Sequence, residues 1–370
     1  MASDVSSAGA AQAPQLPQAV QAPRLTSLSH GGGCGCKIAP GVLSALLAGS
    51  RLPLAQAFPQ LLVGSETADD AAVYQINERQ AVVATTDFFM PIVDDPYDFG
   101  RIAATNALSD LYAMGATPLF ALAIVGMPIN VLPHETIAQI LQGGEAVCRE
   151  AGIALAGGHS IDSVEPIYGL VGIGMVDPAQ LKRNATARAG DVLILGKPLG
   201  VGILSAALKK NLLDAAGYAH MVQVTTQLNR PGSALAALAD VHAMTDVTGF
   251  GLLGHTLELA RGAGLQARID SARLPLLPGV RQWAQQGVVT GASGRNWQSY
   301  GAQVALPDGC DAATQAILTD PQTSGGLLVA CAPQAAQAVL DVFAEGGFAH
   351  AAIIGSMEQG AEGAPGVQVV

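Results

Sequence analysis

Two thiols and an amine stand within four residues of one another in Ser29-His30-Gly31-Gly32-Gly33-Cys34-Gly35-Cys36-Lys37. Three consecutive glycines precede the first thiol, and glycine lets backbone take up φ > 0 and approach a ligand closely. The segment reads as a mobile arm that carries reactive groups and packs into no core. An ammonium beside a thiol lowers its pKa, and the thiolate is the nucleophile. Taken alone, Cys34 and Cys36 leave three readings open: incidental cysteines, a metal site, or a nucleophile.

A second set of chemically able residues is acidic. Asp70, Asp87, Asp110 and Asp246 stand in turn or strand-end settings, each flanked by small residues that leave room for a ligand. No Gly-x-x-x-x-Gly-Lys-Ser/Thr loop occurs in the chain. Carboxylates from separate segments are then what a metal–nucleotide site requires, because Mg²⁺ takes hard oxygen ligands and keeps phosphates in its shell. Singly, an aspartate in such a setting is more often a cap or turn residue than a ligand. Gly157-Gly158-His159-Ser160 follows a strand pattern and offers backbone N–H groups to a phosphate, or is an ordinary tight turn. Gly249-Phe250-Gly251-Leu252-Leu253-Gly254, with Asp270 downstream, matches a dinucleotide fingerprint. The strand before it, His242 to Asp246, is too polar for the centre of a parallel sheet.

These residues need elements to hold them. Strand patterns run over Ala81–Phe89, Leu119–Val125, Ile153–Ala156 and Tyr168–Val176, and helical patterns over Phe99–Met114 and His134–Ala151. Asn106 and Asp110 ride on the first helix. The pattern breaks around Asp177–Gly190. Beyond it, strand patterns appear at Val192–Gly196, Leu265–Ile269, Gly326–Ala330 and Ala351–Ile354. Helical patterns lie between them, among them Gly202–Leu213 and Thr256–Arg261. Short strands that follow one another among the helices favour an α+β architecture over a strict βαβ sheet. The expected organisation is a disordered tail (1–23), a flexible Gly/Cys arm (24–50), an N-terminal domain (51–180) and a C-terminal domain (181–370).

Composition narrows the function. The 370 residues carry a formal net charge of −11, which argues against nucleic acid as a partner. The most apolar run, Pro118 to Ile129, is too short to span a bilayer, so no membrane association is expected. Five scattered cysteines suggest no disulfide framework and fit a reducing cytoplasm.

Six segments stand here in the order found in one family: the Gly/Cys arm, Thr85-Thr86-Asp87, Asn106 to Asp110, Gly157 to Ser160, Thr245-Asp246 to Gly251, and Asp320-Pro321-Gln322-Thr323-Ser324-Gly325-Gly326. From Arg24 onward the chain resembles selenophosphate synthetases (selenide, water dikinases). The resemblance implies a two-domain fold of the aminoimidazole ribonucleotide synthetase type, with helices packed on one face of mixed sheets and N-terminal sheets pairing in a homodimer. It implies the reaction of ATP, selenide and water to selenophosphate, AMP and phosphate. It makes Cys34 the catalytic thiol and Lys37 its essential neighbour, with Cys36 secondary. Asp70, Asp110 and Asp246 would hold Mg²⁺. Lys37, Thr67, Ala68, Asp69, Asp87, Asp110, Gly158, His159 and Ser160 would line ATP. Ala68 departs from the family, in which a basic residue is common there. A selenium-delivery protein is a further implied partner.

Three rivals remain on sequence: a small-molecule kinase of the same fold, a non-catalytic thiol or selenium carrier, and a nicotinamide-dependent dehydrogenase built on Gly249 to Gly254.

Overall fold

The computed structural model describes residues 23–38, 40–47, 58–64, 69–361, 363 and 366–370. Thr67 and Ala68, and the expected tail apart from Pro23, lie outside the described residues.

The first half contains α1 (Pro40–Leu47), β1 (Leu61–Val63), β2 (Ala72–Asn77), β3 (Gln80–Phe89), α2 (Pro96–Ala113), β4 (Thr117–Met127), α3 (His134–Glu150), β5 (Ala154–Asp162) and β6 (Ile167–Val176). The second half begins with β7 (Val192–Leu195), α4 (Val201–Lys209), α5 (Ala215–Thr225), α6 (Pro231–Ala236), β8 (Val241–Asp246), α7 (Gly251–Ala263) and β9 (Gln266–Ile269). It continues with α8 (Val280–Gln285), α9 (Gly291–Tyr300), β10 (Val304–Ala305), α10 (Ala312–Leu318), β11 (Leu327–Cys331), α11 (Ala336–Glu345), β12 (Ala352–Glu358) and β13 (Val367–Val369).

The N-terminal sheet has the order β1-β2-β3-β6-β4-β5 and the C-terminal sheet the order β10-β13-β9-β12-β7-β11-β8. Both are mixed: β4 pairs parallel with β5 and antiparallel with β6. In β3 alternate residues are buried, Ala81, Val83, Thr85, Asp87 and Phe89, which is the period of a strand with one covered face. Helices α2 and α3 cover that face.

Helix α2 is the spine. Its start is fixed locally: Pro96 stands in the first turn, and the Asp95 side chain accepts from the Asp98 N–H at 2.8 Å. Its second half is buried on every side, polar residues Thr105, Asn106 and Ser109 included. It lies between the N-terminal sheet and the second half of the chain. A Cβ on Gly232 of α6 would stand 2.2 Å from the Tyr112 carbonyl, so only glycine permits that approach.

The C-terminal sheet is apolar on both faces. Leu193, Leu195, Leu328 and Ala330 join one buried cluster with α7, while Ile194, Leu327 and Val329 join another with Phe343 of α11.

Two local expectations are corrected. Gly157-Gly158-His159-Ser160 is not a turn but the middle of β5. Gly157 and Gly158 have φ of 140° and 151°, and the β4–β5 register slips by one residue beside them. They form a bulge that keeps the strand paired. Helix α7 begins at Gly251, five residues before the expected Thr256, because a left-handed Gly251 (φ 70°) starts it against the Thr319 and Asp320 backbone.

Candidate active site

The arm is seated rather than free. Leu25 and Cys34 belong to the buried core, and Cys34 is 1% exposed. Its backbone N–H donates to Thr323 Oγ1 at 3.0 Å, and its Sγ donates to Asn106 Oδ1 at 3.1 Å. Asn106 is the junction of the site. Its Oδ1 also accepts from the Ser324 N–H at 2.7 Å, and its Nδ2 donates to Asp87 Oδ2 at 2.7 Å. Lys37 Nζ donates to the same Asp87 oxygen at 3.0 Å.

Burial pushes the Cys34 thiol well above the ordinary range, and the opposing Lys37 ammonium does not offset it. The expectation that Lys37 makes Cys34 a ready thiolate is therefore corrected: in this closed arrangement desolvation wins, and the thiol keeps its proton. Burial also works against the Lys37 charge, but the Asp87 and Asp110 carboxylates outweigh it and hold the ammonium well above its usual pKa.

Asp70, Asp110 and Asp246 each turn one carboxylate oxygen into a common space, with those atoms within 4.8 Å of one another. They come from the position two residues before β2, the last turn of α2 and the end of β8. The Thr245 hydroxyl donates to Asp70 Oδ1 at 2.8 Å, the Thr85 hydroxyl donates to Asp110, and Ser109 hydrogen-bonds Asp246. Burial first, then mutual repulsion, pushes the Asp70 and Asp110 carboxyls well up, and burial raises Asp246. The C-terminal end of a helix is itself negative, so Asp110 adds to the excess. Asp70 Oδ2 and Asp246 Oδ2 are buried without a hydrogen-bond partner. Hard oxygen donors, excess negative charge and unsatisfied lone pairs together fit a divalent cation such as Mg²⁺.

The loop Asp320–Gly326 ties the arm to the C-terminal half. Asp320 Oδ2 accepts from the N–H groups of Gly202 and Ile203 at 3.0 and 3.2 Å, and Gln322 Oε1 from those of Gly200 and Val201 at 3.0 and 3.1 Å. Two side chains from a distant loop thus satisfy the open N–H groups at the start of α4. Ser324 sits at φ 52°, a left-handed conformation that a non-glycine residue adopts at some cost. The buried Lys197 Nζ holds the Ser324 carbonyl at 2.8 Å and that of Gln227 at 2.7 Å.

The structure thus brings together Cys34, Lys37, Asp70, Asp87, Asp110 and Asp246. Asp69 is adjacent, and its carboxylate accepts from the Asn184 N–H at 2.7 Å. Gly158, His159 and Ser160 are not brought to the cluster within one chain. The row Asp87–Leu170–Ala123–Gly158 runs straight across the sheet, a span of about 14 Å at three strand spacings. Leu170 and Ala123 in between are buried. His159 pairs with Ile124, and so points to the face opposite Asp87.

Asn106, Ser109, Thr85, Thr245, Thr323, Ser324 and Lys197 were not singled out as site residues from sequence. Asn106 carried a usable signal, since it lies one helical turn before Asp110 and so shares its face. The dinucleotide fingerprint dissolves. Strand β8 is an antiparallel edge strand, and Asp270 accepts from the Ala272 N–H at the start of a short turn.

Residues 68–176 match the AIR synthase related protein N-terminal domain, and residues 188–368 match its C-terminal domain. The chain is 76% identical over 339 residues to a selenide, water dikinase of Pseudomonas straminea, covering 92% of this chain and 95% of that protein. It is 72% identical to the one of Burkholderia pseudomallei, covering 92% and 96%. Among solved structures, the thiamine-monophosphate kinase of Stenotrophomonas maltophilia shares the fold, with a TM-score of 0.61 and 22% identity over 90% of this chain and 96% of that one. The hydrogenase maturation protein HypE in complex with ATP does so too, with a TM-score of 0.61 and 20% identity over 88% and 90%. The two matched domains, the identity and the coverage mean that this chain belongs to the selenide, water dikinase family of AIR synthase related proteins.

Proposed function

We propose that this protein makes selenophosphate from ATP, selenide and water and releases AMP and phosphate. The observation that carries the reading is the junction at Asn106, where a thiol and a carboxylate–ammonium pair meet beside three converging aspartates. A kinase or a carrier of the same fold has no need of all these groups together.

Asp70, Asp110 and Asp246 are the residues to hold Mg²⁺, which when bound neutralises the triphosphate. The Lys37 ammonium, kept charged by Asp87, faces the negative charge that develops on transferring phosphoryl oxygens. The Cys34 thiol, buried and protonated while the arm is closed, is a proton donor that can orient the incoming selenide without forming an S–Se bond. Closure of the arm over nucleotide excludes water from the first transfer, and its opening admits water to the second.

The working unit in this reading is a homodimer. The N-terminal sheet leaves Tyr74, Ile76, Phe88 and Leu119 exposed on one side, on the face that His159 shares. A second copy seated there covers this surface and supplies its own Gly158, His159 and Ser160 to the nucleotide. We assign residues 51–180 to the nucleotide domain and 181–370 to the C-terminal domain. Five free cysteines suit a reducing cytoplasm, where a selenium-delivery protein would meet the arm.

Anaerobic ³¹P NMR tests the reading. A selenium-coupled phosphorus signal is expected with AMP and phosphate in equal amounts, and Cys34→Ser is expected to abolish it. Turnover that stops at ADP would move the function to a kinase, and selenium binding without ATP turnover would move it to a carrier.

A further inference from the structure

The arm has a second side. Behind it lies a cavity of about 330 Å³ lined by Gly31, Gly32 and Gly35 of the arm, by α4, by the start of α9, and by Pro321 and Thr323. Its charged lining is entirely basic: Lys209, Lys210 and Arg295, with His30 at the side, and no aspartate or glutamate. The chain has 29 acidic residues against 18 basic ones, so three basic residues around one hollow without an acid is a local inversion of charge. Three carboxylates border it without lining it: Glu165 accepts from the His30 N–H at 2.9 Å and lies 3.0 Å from its ring, Asp94 accepts from Arg24 and Thr26, and Asp320 accepts through Oδ2 from the Gly202 and Ile203 N–H groups.

One layer of arm backbone separates this cavity from Cys34. Thr323, which lines the cavity, accepts the Cys34 N–H. Arg295 Nη2 donates to the Gly35 carbonyl at 3.0 Å, and Lys209 Nζ to the Ser29 carbonyl at 3.3 Å. The cationic residues therefore hold the arm at both ends of its glycine run.

The other side of the arm faces Asp70, Asp87, Asp110 and Asp246. A small anion that approaches Cys34 from there meets four carboxylates and, during turnover, a triphosphate. We infer that the basic cavity is the admission site for the selenium anion, hydrogen selenide, which is a monoanion at neutral pH. It reaches the thiol from behind the arm while nucleotide occupies the carboxylate side. The inference rests on the selenophosphate reading and adds to it a separate site for the second substrate.

The test compares wild type with Lys209→Gln/Lys210→Gln. The Lys210 side chain makes no hydrogen bond or ion pair among the described residues, and both lysines are exposed. A control, Arg79→Gln/Arg149→Gln, removes the same formal charge elsewhere on the surface. Initial rates of AMP release are measured against selenide at saturating Mg-ATP, and against Mg-ATP at saturating selenide. The lysine variant is expected to raise the KM for selenide roughly fivefold to tenfold, with the KM for Mg-ATP nearly unchanged. An unchanged selenide KM, a parallel rise in both KM values, or an equal rise in the control overturns the inference.

A second readout needs no turnover. In a Cys36→Ser background, Cys34 is alkylated with iodoacetate, an anion, and with iodoacetamide, which is neutral. The ratio of the two rates is expected to fall severalfold in the lysine variant, the neutral reagent correcting for any loosening of the arm. An unchanged ratio overturns the basic route even if wild type proves to make no selenophosphate, and absence of that product alone overturns only the functional reading.

Discussion

The two sheets solve the same packing problem differently. The C-terminal sheet is covered on both faces, with alternate residues of β7 and β11 entering two separate apolar clusters. The N-terminal sheet is covered on one face, and on the other it presents Tyr74 at 47%, Ile76 at 57% and Phe88 at 47% exposure. A sheet closed on both sides is complete within the chain. One that leaves contiguous apolar surface in water offers a place for a partner to seat. The unfinished sheet is also the one whose edge strand carries Gly158, His159 and Ser160, out of reach of the aspartates in its own chain. In the dimeric reading proposed above, one second copy would answer both.

The same substitution in both sheets breaks this comparison most sharply. Val329→Asp places a charge in a fully buried strand of the C-terminal sheet, and is expected to cost at least ~4 kcal/mol and yield insoluble protein. Phe88→Asp changes an exposed residue, and is expected to leave a folded, soluble monomer with activity lowered at least ~100-fold. Light scattering and circular dichroism check both. A folded Val329→Asp protein, or a fully active monomeric Phe88→Asp, would erase the distinction.

Complementation sharpens it. His159→Ala and Asp246→Asn should each inactivate the homodimer. In a mixed dimer one site collects both defects and the other collects none. Random reassembly of equal amounts makes half the dimers mixed, so activity should return to about one quarter of wild type. No recovery after verified subunit exchange would mean that each chain builds its own site.

Asp246→Asn carries a further expectation of smaller size. Burial and like charges make the aspartate cluster unfavourable without a cation. Removing one charge should therefore raise the stability of the metal-free protein by about 1 kcal/mol while activity is lost. Mg²⁺ should raise the melting temperature of wild type and raise that of the variant less. Calorimetry with and without Mg²⁺ reads both, and a destabilised metal-free variant would show that the cluster serves the fold rather than a cation.

Much of this was legible in the sequence because it depended on local rules. The β-branched and aromatic run Ala81–Phe89 gave β3 to within one residue, and the helical spacing of Phe99–Met114 gave α2 with its start three residues late. The aspartates were found because small neighbours and strand ends mark ligand sites. What stayed hidden depends on distant partners. Gly157-Gly158 looks like a turn until strand β4 is laid beside it. Helices α9 and α10 lack a clear apolar stripe, so their period did not stand out. The pKa of Cys34 could not be read from its neighbour Lys37, since burial by Asn106 and Thr323, remote in sequence, decides it. Lys197 is the extreme case, an unremarkable lysine in sequence and a buried clamp in the fold.

Lys197 tests whether the closed C-terminal sheet also sets the geometry of the shared site. Its Nζ holds the carbonyl of Ser324, whose N–H holds Asn106, which in turn holds Cys34. Burial lowers its pKa from 10.5 to about 7. Between those values the unfolded chain keeps the proton and the folded chain releases it. Unfolding then takes up a proton, so this residue's contribution to stability rises with pH across the window and is flat below it. Lys197→Met should remove that slope. Denaturant titrations at about pH 7.5 and about pH 9 should show a smaller gain for the variant than for wild type. The freed Ser324 and Gln227 carbonyls should loosen the Asp320–Gly326 loop, lower kcat roughly tenfold, and speed the alkylation of Cys34. A variant with unchanged kcat and unchanged thiol reactivity would confine Lys197 to the fold and leave Asn106 to hold the thiol unaided.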